Sequence, residues 1–456
     1  MDATITRLAE FAAGLSYEQL PTEIVDLAVA RLVDALGCAV GGMDSDQARI
    51  AVAVSPQVSA DPENPESGFA GTILGSLRRT VPELAAFANS CMIRNLDFND
   101  RYPHIHPSDM IGGLLAGVDA PGVDGKRLVS SIVAAYEVAT RIADVVRRHP
   151  GWDSGYSTGM GAVAGIAHLL GCDTATTGEA LSLIATSNVH LRSTRAGGLS
   201  LWKGAATAHA TSNAMFVTRL AQHGMTGPEA AIEGRHGLWD QITGEFELPP
   251  LPDCGGEYLT TRTSLKYWPV EYTAQNAVWV AKRLATTIPI TELASVRLGA
   301  HTHGWREIGS DPAKWDPQSR ETADHSLPYI FVRAMQRDGV DTSIFAKECY
   351  LDPSVRPLMA KVVVEPDERC DAVHPDGVML TCDAVAKDGR AESFSVNDPK
   401  GFWTNPMTAA DVEAKFRALV EPTYDSRHAA RLYEYWSSVV ERRDLGAGMR
   451  LFVPLA

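Results

Sequence analysis

The sequence predicts a mainly α protein, with a large all-helical domain and a smaller α+β domain. Three observations carry this expectation. Segments at Pro21–Ala39, Pro82–Cys91 and Lys126–Arg147 place apolar residues at helical spacing, and their many alanines and glycines let helices approach closely in a bundle. Prolines and glycines then cluster between Gly234 and Leu265, in ELPPLPDCGGEYL, as at the approach to a domain boundary. Beyond it, Ser295–Ala300 and Lys361–Glu365 read as strands, and Val378–Val385 with Ala391–Val396 reads as a hairpin across Asp388-Gly389. At 456 residues the chain also exceeds what one hydrophobic core usually serves.

In chain order, Pro21 and Thr22 open a helix whose Ile24, Val25, Ala28, Leu32, Ala35 and Leu36 share a face, and Gly41-Gly42 stop it. Asp34 lies among these apolar neighbours and is expected to be satisfied by a cap or turn. The second helix leads into RNLDFNDRYPHIHPSDMIGGLL, which gathers Asp97, Asp100, Arg101, His104 and His106 just before another helical pattern. Ser108 reads as its N-cap. A helix starting there would aim backbone N–H groups and the positive end of its dipole at an anion. Asp97 or His106 can serve as a general base or acid at such a place.

The stretch HLRSTRAGGLSLWKGAATAHATSNAMF brings Arg192, Arg195 and Lys203 around a glycine-bearing loop, ahead of a helix that Gly224 ends. Arginine forks and a lysine point charge in that arrangement can clamp carboxylates. Past the boundary, SLKYWPVEYTAQNAV carries Lys266 three residues before Pro269. TADHSLPYIFVRAM places Asp324 and His325 before Ser326, the expected cap of the next helix. Whether Asp324 and His325 tie loops together or act chemically is open at this point. Thr408 with Asp411 starts a further helix, and Arg427–Val440 supplies another.

Composition narrows the partners. A net charge of −15 with no basic run argues against nucleic acid and against an anionic membrane surface. Seven scattered cysteines without a CxxC pair suit a reducing cytoplasm, no leader is indicated, and no apolar run is long enough to span a bilayer. GxGxxG after a strand is missing, so no nucleotide is expected. His104-x-His106 with Asp97 or Asp100, and His301-x-His303, lack a recognised ligand spacing, so no metal is expected.

LDFND followed by HPSDMIGGLLA, then LRSTRAGGLSLWKGAATAHA with GMTGP, the Lys266–Pro269 segment and ADHSLPY resemble the MmgE/PrpD family of 2-methylcitrate dehydratases and cis-aconitate decarboxylases. The resemblance implies a cofactor-free lyase acting on small di- or tricarboxylates, and a homodimer. It also implies that the last helices return to the helical domain, giving an all-helical domain of 1–265 with 408–456 and an α+β domain of 266–407. It implies Asp97, His106 and Lys266 as catalytic residues; from residue type and placement Lys203 is expected to join them, with Arg101, Arg192, Arg195, Ser108 and His104 binding substrate.

Several positions depart from the pattern of that family. Arg101 stands where its decarboxylases have threonine. Trp152-Asp153 and Glu271 or Thr273 occupy places where histidine is expected, and Ala208, beside His209, takes the place of a lysine. These departures weaken a decarboxylase assignment, while LDFND…HPSD and WPVEYTAQNAV lean towards dehydration of a 2-methylcitrate-like hydroxy-tricarboxylate. A cis-aconitate-type decarboxylase, a dicarboxylate epimerase or isomerase, and a non-catalytic carboxylate-binding protein stay as alternatives.

Overall fold

A computed structural model describes residues 1–58, 69–76, 78–146, 151–195 and 199–453. The chain divides into two compact units, one of Met1–Thr194, Gly204–Thr263 and Thr408–Ala456, the other of Arg195–Lys203 and Ser264–Met407.

The first unit is helical apart from a short antiparallel ribbon of β1 (Gly71–Thr72) and β2 (Arg79–Thr80). The Thr22–Gly42 helix is buried along most of its length, and the Pro82–Asn95 helix begins with proline at a position where its missing N–H costs nothing. The Gly125–Val146 and Gly155–Leu169 helices pack on each other at glycine level. A Cβ built on Gly161 would lie 2.5 Å from the Ala135 carbonyl oxygen, and one on Gly165 2.8 Å from that of Ser131. The alanine and glycine content read from the sequence therefore has a steric cause here. Arg147, the expected end of that helix, lies outside the described residues, as do Gly197-Gly198 of the expected cation loop.

The same closeness recurs beside the acidic stretch. A Cβ on Gly112, in the Ile111–Ala116 helix, would meet Ser90 Oγ at 2.3 Å and Ser90 N at 2.4 Å. Gly112→Ala should therefore cost about 1–3 kcal/mol through forced displacement of two packed helices. Denaturant titration measures this, and an unchanged midpoint would refute the close approach.

His168 is buried on the second of those helices. Its Nδ1 faces the Ala12 carbonyl at 2.9 Å and its Nε2 faces Ser130 Oγ at 2.8 Å. A ring that donates from Nδ1 and accepts at Nε2 is neutral, and burial together with nearby Arg127 lowers its pKa to about 4. The unfolded chain takes up the proton first, so this contribution is complete above about pH 6.5 and is lost as pH falls towards 4, by on the order of 3 kcal/mol. His168→Gln should thus be less stable than the parent at neutral pH, with a deficit that shrinks on acidification. A deficit independent of pH would refute the neutral ring.

The second unit is built on a four-stranded sheet of order β4–β3–β5–β6, from β3 (Leu293–Ala300), β4 (Val362–Pro366), β5 (Met379–Ala386) and β6 (Ala391–Asn397). β3 pairs in parallel with β4 and antiparallel with β5, and the β5–β6 hairpin turns through Gly389, whose φ of 90° a side chain would resist. Val278, Ala281 and Leu284 of the Ala274–Ala285 helix and Ile330 and Phe331 of the Leu327–Arg337 helix share one core with Val296, Leu298 and Leu380 of the sheet. The mainly α reading, with a small sheet in the later part of the chain, agrees with this architecture; the β1–β2 ribbon in the first unit was not expected.

All seven cysteines are free thiols. Among the described residues, no helix is long and apolar enough to cross a membrane.

Candidate active site

The Pro82–Asn95 helix ends at Leu96, and Asp97 follows it in the left-handed region at φ 50°. Two things disfavour a carboxylate there. Left-handed backbone strains any residue with a Cβ, although aspartate bears it better than most, and the negative end of the helix dipole repels an anion. Arg94, one turn earlier and itself buried, offsets both by bonding Asp97 Oδ1 while its Nε lies 3.5 Å from Asp109 Oδ2. An aspartate held against such opposition is a reason to look for function.

The chain then doubles back. Tyr102 and Ile105 exchange backbone hydrogen bonds of 3.0 Å in both directions, with Pro103 and His104 at the tip and His104 at φ 70°. This is a turn with proline at its first corner and a left-handed residue at its second. It returns the chain so that His106 faces Asp97. His106 Nδ1 lies 2.7 Å from the Asp100 carbonyl oxygen, and His106 Nε2 lies 3.9 Å from Asp97 Oδ1. Since a carbonyl only accepts, Nδ1 carries the proton, and in the neutral ring Nε2 is the basic atom.

Ser108 corrects the cap expectation. It lies inside a 3₁₀ turn, Pro107–Met110, which His106 precedes; the α-helix proper starts only at Ile111. The Ser108 N–H donates to Asp100 Oδ1 at 2.9 Å, and its hydroxyl accepts from Asn99 at 2.8 Å. The anion at this helix start is thus the protein's own Asp100, whose other oxygen accepts from Tyr136 OH at 2.7 Å. Burial raises the Asp100 pKa against the pull of these bonds and of Arg31. Burial likewise lifts Asp109 to about 6, although Arg94 opposes it.

Asp34 is also corrected: its partner is Lys415 Nζ at 2.6 Å, from the Ala409–Val420 helix, rather than a cap or turn. The same ammonium donates to the Phe98 carbonyl at 2.6 Å and lies 3.9 Å from the Phe98 ring centre.

In the second unit, Lys203 stands in the first turn of the Trp202–Gln222 helix, buried, with Nζ 3.4 Å from Asp324 Oδ1. Asp324 is wholly buried; burial alone would raise its pKa, but Lys203, His325 and Arg320 together hold it down at about 2. Lys266 is 1% exposed, in the irregular segment before Pro269. His301 caps the Thr302–Ile308 helix, its Nδ1 accepting from Gly304 N–H at 3.1 Å and its Nε2 lying 3.2 Å from Thr273 Oγ1, so both ring nitrogens are used within the protein.

The geometry therefore joins Asp97 and His106 in one unit. Arg101 and His104 lie on the turn between them, partly exposed, and Arg192 and Arg195 occupy a partly exposed 3₁₀ turn. Arg94, Asp109 and Tyr136 were not singled out from sequence. Only Arg94 left a signal there, its spacing of three before Asp97.

The comparisons with known proteins match this chain along most of its length. The MmgE/PrpD N-terminal domain covers residues 6–250 and the MmgE/PrpD C-terminal domain residues 268–437. This chain belongs to the MmgE/PrpD family. A 2-methylcitrate dehydratase of Salmonella typhi is 25% identical over 384 residues, 79% of this chain and 77% of the relative. A cis-aconitate decarboxylase of Homo sapiens is 24% identical over 431 residues, 89% and 85% of the two chains. A mitochondrial 2-methylcitrate dehydratase of Yarrowia lipolytica is 25% identical over 420 residues, 83% and 76%. The likeness read from LDFND and HPSD thus extends through both domains of this MmgE/PrpD protein.

Proposed function

We propose that this MmgE/PrpD protein is a carbon–oxygen lyase that dehydrates a 2-methylcitrate-like hydroxy-tricarboxylate by acid–base elimination carried out by its own side chains. The observation that supports this most is the His106–Asp97 pair, with Nδ1 committed to a backbone carbonyl and Nε2 turned to a carboxylate 3.9 Å away. A proton next to a carboxylate is weakly acidic, because its removal piles negative charge on that carboxylate. Neutral His106 takes the proton at Nε2, and the imidazolium formed is stabilised by Asp97. By residue type, Lys203, Lys266, Arg101, Arg192, Arg195 and His104 can hold substrate carboxylates.

The names of the relatives support this reading at the level of substrate class. Dehydratases and a decarboxylase among them share carboxylate-rich substrates in name, and this chain departs from the decarboxylase pattern at Arg101 and Trp152-Asp153. The reading includes a cytoplasmic homodimer without cofactor.

The test is proton NMR in heavy water, with chelator present, against citrate, 2-methylcitrate, cis-aconitate and smaller hydroxy- and imino-dicarboxylates. Loss of water from a hydroxy-tricarboxylate is the expected result. Deuterium uptake or epimerisation without elimination would replace the lyase by an isomerase, carbon dioxide release from cis-aconitate by a decarboxylase. Ligand-induced stabilisation without turnover would leave a binding protein.

A further inference from the structure

We propose that Asp109 is a positioning residue for the His106–Asp97 pair, sharing the Arg94 guanidinium with Asp97 so that Asp97 keeps the negative charge that favours a proton on His106. The proposal rests on the acid–base reading above, and all of its residues belong to the first unit.

Arg94, Asp97 and Asp109 form a buried chain of charges. Arg94 Nη1 bonds Asp97 Oδ1, and its Nε lies 3.5 Å from Asp109 Oδ2. The second distance is longer than a hydrogen bond usually allows, so Asp109 acts on Arg94 through its charge. The three side chains keep at most 2% exposure, and little water screens one charge from the next. A guanidinium devoted to Asp97 would neutralise it, and an imidazolium at His106, 3.9 Å from the same carboxylate, would gain little. With Asp109 drawing on the same cation, the group keeps a net negative charge that His106 feels.

The surroundings of Asp109 fit a charge that is kept at neutral pH. Burial lifts its pKa to about 6 against the pull of Arg94 and Thr207, while Asp100 adds to the rise and Asn99 opposes it. The buried Cys91 thiol faces Asp109 too, and burial pushes its pKa up, so it stays neutral. Arg31 and Tyr136, from the Thr22–Gly42 and Gly125–Val146 helices, face the neighbouring Asp100. Tyr156 and His168 of the Gly155–Leu169 helix bond Ala185, and Ala12 with Ser130, while the Ile111–Ala116 helix brings no titratable side chain.

A purely structural role explains less. The turn is already tied at its main chain: the Asp109 N–H donates to the His106 carbonyl at 3.0 Å, and the Asp109 carbonyl accepts from Ser90 Oγ at 2.8 Å and Thr211 Oγ1 at 3.3 Å. Asp109 Oδ1 accepts from Asn99 Nδ2 at 2.8 Å, a bond that an asparagine oxygen would take as well. A neutral amide would also cost less to bury than a carboxylate. What the carboxylate alone adds is charge facing Arg94.

Two measurements test this on the full-length protein. In NMR of the histidine-labelled chain, with the His106 ring identified by its loss in His106→Gln, Asp109→Asn should move the titration of His106 to lower pH. Arg94→Gln combined with Asp109→Asn should return it towards the parent, because cation and anion are removed together and the glutamine amide can still donate to Asp97. In turnover of 2-methylcitrate, Asp109→Asn should carry the acid limb of kcat/KM in the same direction and lower kcat by roughly three- to tenfold with KM near the parent's, a fraction of what removing the base itself costs. An Asp109 that only holds the fold would lower the melting temperature and leave both midpoints in place. An unmoved or raised His106 titration in Asp109→Asn, or a double variant displaced as far as the single one, would overturn the proposal. Should Asp109→Asn not fold, the double variant decides, since it leaves neither charge unpaired: a titration at the parent's pH supports the sharing, and one well below it overturns it. If the parent eliminates water from nothing, the lyase reading falls, while the His106 titration still decides the charge sharing.

Discussion

Asp97→Asn and His106→Gln should each lower turnover by roughly a hundredfold or more, with cooperative unfolding retained. Both replacements keep much of what the fold asks of these positions. Asparagine tolerates left-handed backbone as aspartate does, and glutamine can still donate to the Asp100 carbonyl, which His106 now contacts at 2.7 Å. What they remove is the basic nitrogen and the charge that stabilises its protonated form. Steady-state rates on the substrate found by NMR, read beside thermal melts, check this. Near-parent activity in either variant would remove that residue from the chemistry, and a collapsed melt would mark its role as structural.

The largest loss of stability is expected from Lys415→Met. Asp34 and Lys415 are both buried, 2.6 Å apart, and Lys415 also bonds the backbone of Phe98, next to Asp97. Removing the cation leaves a buried carboxylate without its counter-charge, at a cost of about 3–5 kcal/mol. Burial already raises the Asp34 pKa despite Lys415, and without it the pKa must rise further. A raised carboxyl pKa means the folded state prefers the proton, so the penalty of the variant is full at neutral pH and is relieved as pH falls. Asp34→Leu combined with Lys415→Met should recover most of the loss, because the unpaired charge is then gone. Urea titrations at neutral and mildly acidic pH measure all three. A variant as stable as the parent, or one whose deficit grows on acidification, would contradict the buried pair.

How much of this was legible in the sequence depended on range. The Thr22–Gly42 helix, the β5–β6 hairpin and the capping box at Thr408 follow from residues within a few positions of one another, and these appear in the structure, whereas the helix expected to end at Cys91 runs on to Asn95. The Asp97–His106 pair was legible for the same reason, since one short turn joins them. The partner of Asp34 was not, because Lys415 comes from the other end of the chain and no local pattern links the two. Ser108 misled in an instructive way. Its residue type and the following apolar run fit an N-cap, but Pro107 starts a 3₁₀ turn one residue earlier, and Asp100 satisfies the N–H that a ligand was expected to take. Local propensity sees the orphan donor but cannot see that an internal carboxylate has claimed it.

The left-handed backbone at Asp97 bears on which acids this position can exchange. Glycine, asparagine and aspartate enter that region readily, and of the three only aspartate carries a charge. Glutamate, often the easiest replacement for an aspartate, would meet the strain without aspartate's local relief and would push its carboxylate one methylene further along. The bend of the main chain therefore acts as a filter on the genetic alternatives, leaving a single acidic side chain that suits both the turn and the 3.9 Å reach to His106.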